Sequence, residues 1–86
     1  MKNNKKMEFD EHVELGNRLK VDNRHYVNAY LAICAKYGKT SREARAMDRL
    51  LKGFDHVRDV LDDSVCGEYS EKPDSEVLSV YYGKMK

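Results

Sequence analysis

Apolar residues recur with the period of a helix along two long runs of this chain, separated by only a few residues. In the second run, 40–67, Met47, Leu50, Leu51, Phe54, Val57, Leu61 and Val65 fall on one broad face at about 100° per residue. Arg45, Asp48, Arg49, Lys52, Asp55, His56, Asp59 and Asp63 take the other face. Thr40 is placed to cap the first turn, Glu43 to complete a capping box, and Gly67 to stop the helix in the left-handed region. Gly53 alone weakens the run, by roughly 1 kcal/mol relative to Ala. A helix of about 26 residues is roughly 39 Å long, so whatever covers its apolar face must be long as well.

The first run, 8–37, places Phe9, Val13, Gly16, Leu19, Tyr26, Val27, Tyr30, Leu31, Ile33, Cys34 and Tyr37 on an arc of about 160°. Glu8, Asp10 and Glu11 put negative charge where a helix start favours it. The phase does not slip across 20–24, which favours one continuous helix. The competing arrangement breaks it at Val21-Asp22-Asn23, with Asp22 capping a further helix. Gly38 then closes the first helix, and so short a turn makes the two helices an antiparallel hairpin.

Beyond Gly67, 68–72 reads as a linker and Pro73-Asp74-Ser75-Glu76 as a helix start. Residues 77–82 read as two helical turns ending at Gly83. Their β-branched and aromatic content also suits a strand, but no second strand is present to pair with. The expected organisation is therefore a mobile basic tail over 1–7, a helical hairpin over 8–66, and a linker with a short helical segment over 67–86. The fold class is all-α.

Composition changes this picture in one respect. Leu, Ile, Val and Phe make up only 18 of 86 residues, and charged residues make up 36%. A core this thin rarely stabilises a monomer strongly. The expected remedy is homodimerisation, two hairpins completing a four-helix bundle. Residues 1–7 contain no apolar segment of a secretory signal, and no run approaches the roughly 20 apolar residues that span a bilayer. Two cysteines without CxxC spacing point to a reducing, cytoplasmic compartment.

Candidate chemistry is sparse. Gly38-Lys39-Thr40 matches the tail of a phosphate-binding loop, but Ile33 stands where that motif needs its first Gly, and the loop follows a helix. A helix stop followed by an N-cap accounts for the same residues. His12, with Glu8 one turn back, is not a convincing ligand, and the group of Asp55, Asp59 and Asp63 beside His56 is explained more simply by a solvated helix face than by a metal. No catalytic residue, metal or cofactor is expected, and the chain is not read as an enzyme. Cys34 and Cys66 lie some ~33 Å apart along the hairpin axis, far beyond disulfide reach.

Three features go further. Tyr26, Tyr30, Tyr37 and Phe54 suit either the edge of a core or a protein interface. Lys20 and Asn23 interrupt the apolar arc of the first helix at the level where Arg58 interrupts that of the second. Inward-directed cations need anions: Asp62, a carboxylate of another subunit, or a bound phosphate-like ligand, unless they snorkel outward. Finally, 36–52 carries Lys36, Lys39, Arg42, Arg45, Arg49 and Lys52 against two acidic residues, whereas 55–76 carries eight acidic residues against Arg58 and Lys72. On the second helix this order opposes the macrodipole, so a partner, not local helix stability, accounts for it. The leading expectation is a small non-catalytic protein that acts as a homo-oligomer, binding or inhibiting another protein. The alternative is a binder of nucleic acid or of a small phosphorylated ligand.

Overall fold

Glu8 and Glu11 start the first helix, the Glu8 backbone N–H donating to the Glu11 carboxylate at 2.8 Å. In the computed structural model, which describes residues 6–83, this helix (α1, Phe9–Tyr37) runs without a break through Val21, Asp22 and Asn23. Gly38, at φ 97°, ends it and returns its N–H to the Cys34 carbonyl at 2.9 Å. The turn is one residue longer than expected. Ser41, not Thr40, caps the second helix (α2, Arg42–Glu68), its hydroxyl accepting the Ala44 N–H at 3.1 Å. Ser41 also donates to the Gly38 carbonyl at 2.7 Å, a bond that locks the turn and selects it over its neighbour.

Gly67 does not stop α2. The helix passes through it and ends at Tyr69, whose N–H bonds the Val65 carbonyl at 3.0 Å. Burial explains the shift: Tyr69 turns into the core, stands edge-on to Phe9 at 5.4 Å, and donates its hydroxyl to the Met7 carbonyl. The tail expected over 1–7 lies outside the described residues as far as residue 5. Met7 takes that hydroxyl, and Lys6 stands 4.6 Å above the Tyr69 ring.

The C-terminal segment departs from the two helical turns expected. One turn forms (α3, Asp74–Val77), and 78–83 continues as turns and bends. Side chains from the hairpin take the carbonyls that a longer helix would have used. Lys20 donates to the Ser79 carbonyl at 2.7 Å, and Arg58 to that of Tyr81 at 3.4 Å. The segment buries Val77, Val80 and Tyr81 against Val65 and Tyr69, with Phe9, Val13, Leu19 and Leu61 packed around them. Its backbone approaches α1 so closely that a Cβ on Gly16 would lie 2.0 Å from the Val80 oxygen.

The described residues therefore form an all-helical hairpin about 47 Å in its longest dimension. Its open end carries a compact core, and among the described residues its turn end consists of the two helices alone. No helix among the described residues is long and apolar enough to cross a membrane.

Candidate functional site

The polar layer exists, but part of its charge is answered from within. Arg58 is largely buried, its side chain 13% exposed. One guanidinium nitrogen reaches the Tyr81 carbonyl and another the Asp55 carboxylate at 3.2 Å. The ring of Tyr82 lies against the guanidinium at 4.6 Å, with Phe54 further off at 5.7 Å. The partner expected one turn on, Asp62, is not used: its Oδ1 is buried with no hydrogen-bond partner. Burial, with Asp63 and Asp59 beside it, pushes the Asp62 carboxyl above its ordinary range. Lys20, Asn23 and Arg58 do line one cleft, together with Arg24, Asn28 and Gly83, of ≈ 330 Å³.

Beside this layer lies a network that the local sequence does not announce. His12 is 1% exposed. Its Nδ1 stands 2.6 Å from the Tyr81 hydroxyl and its Nε2 3.1 Å from a Glu68 carboxylate oxygen. An ionised Glu68 only accepts, so Nε2 carries the hydrogen on that side and Nδ1 of the neutral ring takes the phenolic hydrogen. Burial, with Glu68 and Asp62 nearby, pushes the Tyr81 hydroxyl up to about 12. Both rings are sealed from solvent, so this chain of bonds works as a latch joining α1, α2 and the C-terminal segment. Tyr82 adds an outer fastening, its hydroxyl donating to Asp59.

The tyrosines expected at an interface divide. Tyr26 meets Phe54 edge-on at 5.6 Å within the hairpin seam, and Tyr30 bonds the Cys34 thiol, which raises its pKa. Tyr37, 61% exposed, faces outward. The basic patch at 36–52 is exposed at all six of its basic positions, and two acids within it dilute its charge: Asp48 pairs with Lys52 at 3.1 Å, and Glu43 lies 3.6 Å from Arg42. Cys34 and Cys66 are free and half-buried. Burial and the nearby Asp62 and Asp63 raise the Cys66 thiol pKa, the reverse of what a reactive thiolate needs. Among the described residues no group of three His, Cys, Asp or Glu side chains is placed to hold a metal.

The apolar face of α2 is wider than α1 and the C-terminal segment can cover. Met47, Leu51, Phe54, Leu61 and Val65 turn inward. Leu50, Val57 and Val60 remain 47–50% exposed. With Ala46 and Gly53, also exposed, these three follow alternating steps of four and three residues, the seam spacing of a packed helix pair. Arg58, which anchors the C-terminal segment, lies about a third of a turn of the wheel away from the stripe's centre, and Asp59 about 140° away on the other side. As far as residue 83, the segment therefore leaves the stripe clear.

Compared with known protein families, curated proteins and solved structures, the chain matches none.

Proposed function

We propose that this protein is a non-catalytic helical interaction protein that pairs with a second copy of itself through the outer face of α2. The observation that carries this reading is the seam-spaced stripe of Leu50, Val57 and Val60, half exposed on a chain with very little apolar surface to spare. A solvent-facing helix has no use for three large aliphatic residues at heptad positions, whereas a helix awaiting a partner does. Gly53 and Ala46 between them would let two backbones approach closely. The charge order along α2, basic then acidic, supports a partner helix of the same sequence running the other way. Two unpaired, half-buried thiols suit a reducing compartment.

Sedimentation velocity at micromolar concentration tests the reading. Wild-type protein should sediment as a dimer and Val57→Lys as a monomer with unchanged helical circular dichroism, because the substituted position faces solvent in the single chain. A wild-type monomer at that concentration refutes the proposal.

A further inference from the structure

We infer that the cleft at the polar layer binds a phosphate group carried by a small molecule, independently of the pairing surface on α2. Its walls bring Lys20 and Arg24 of α1 and Arg58 of α2 around one opening, with Asn23 and Asn28 beside them. Among the described residues, three cations and two carboxamides line the space and no acidic side chain does. Asp55 meets Arg58 from outside that lining, at 3.2 Å and 60% exposed. Phosphate, with up to two negative charges and several strong acceptor oxygens, matches two guanidinium forks and an ammonium better than a single carboxylate does.

Preorganisation adds to the case. The ring stack on Tyr82 and the bond to the Tyr81 carbonyl hold the guanidinium in place before any ligand arrives, so little side-chain freedom is lost on binding. Lys20, fixed on the Ser79 carbonyl at 2.7 Å, is likewise positioned by the C-terminal segment. At ≈ 330 Å³ the cleft reaches the lower end of the roughly 300–1,000 Å³ typical of small-molecule sites. Val27 on its rim supplies an apolar surface for the organic part of the ligand.

The experiment is a nuclear magnetic resonance titration of the full chain with inorganic pyrophosphate, monitoring backbone amides. Saturable shifts around Lys20, Arg24 and Arg58 are expected, weakening as salt is added. Arg58 also anchors the C-terminal segment, so the decisive variant is Arg24→Ala at an exposed position. It should bind tenfold or more weakly, as loss of one charged hydrogen-bond partner implies, with helix content unchanged. Arg45→Ala, elsewhere on α2, should bind like wild type. Val57→Lys should also retain binding, which keeps this result separate from the state of the dimer. Absence of saturable shifts, an equal loss in Arg45→Ala, or acetate binding as tightly as pyrophosphate each overturns the inference.

Discussion

The hydroxyl of Tyr81 closes the latch at His12, and its protonation ties the fold to alkaline pH. A phenol whose pKa rises to about 12 in the folded chain, from near 10 in the unfolded one, favours folding while it is protonated. That contribution is complete below about pH 10 and is lost as pH climbs from about 10 to 12. Tyr82, also pushed up to about 12 by burial and by its bond to Asp59, titrates over the same window. The unfolding free energy from denaturant titrations should therefore fall steeply across this range, by on the order of 2 kcal/mol for Tyr81 alone. In Tyr81→Phe the alkaline loss should shrink, while stability at pH 7 drops because His12 Nδ1 is left buried without a donor. An unchanged alkaline slope in the variant would count against the latch. The sequence alone does not mark His12 as a buried ring. Its partners lie 56 and 69 residues away. Spacing along one helix cannot name such partners, so its burial is legible only once the chain is folded.

At the scale of elements, α1 and α2 were legible because nearly thirty residues of unbroken periodicity leave few alternatives. Their ends were less so. Thr40 and Ser41 are both competent caps, and only the second bond from Ser41 to the Gly38 carbonyl separates them. The C-terminal segment was the least legible, because its shape follows from where it docks. Gly16 controls that docking. As a glycine in mid-helix it costs α1 roughly 1 kcal/mol, yet a Cβ there would meet backbone at 2.0 Å, which no rotamer change relieves. Gly16→Ala should therefore destabilise the protein by about 1–3 kcal/mol despite its better helix propensity. It should also raise the exposure of Tyr81 and Val80 to hydrogen exchange and quenching. A neutral or stabilising Gly16→Ala would mean that the segment does not dock against α1. The same substitution at Gly53, where nothing lies within 4 Å, should stabilise the single hairpin and so serves as the internal control.

For the whole molecule, the order of charges along α2 decides how two copies would meet. Arg42 and Arg49 flank the exposed stripe towards the turn, and Asp63 flanks it on the same side towards the open end. Two helices packed on this stripe in parallel, about a two-fold axis along the seam, would put this flank of one copy on the opposite side of the seam from the same flank of the other, so that Arg42, Arg49 and Asp63 meet neither their counterparts nor one another. Packed antiparallel about the region of Gly53, they would set Arg42 of one copy against Asp63 of the other, with Arg49 further along the same flank, which is the complementary arrangement. The two-fold axis then lies on the outer face of α2, at the level of Phe54 but not on the Tyr26 side, where Phe54 already packs inside its own hairpin. All of these flanking residues are exposed in the single chain, so reversing them leaves the hairpin intact. Arg42→Glu with Arg49→Glu should weaken the dimer, modestly at high salt and more at low salt, because exposed pairs contribute only tenths of a kcal/mol each. Adding Asp63→Arg to that variant should restore the affinity, since both copies then carry the reversed pattern. Loss followed by restoration occurs only if the chains run in opposite directions: in a parallel dimer these flanks lie on opposite sides of the seam, and the three variants differ little in affinity. Sedimentation equilibrium on the wild type, the double variant and the triple variant at two salt concentrations therefore reads the orientation directly.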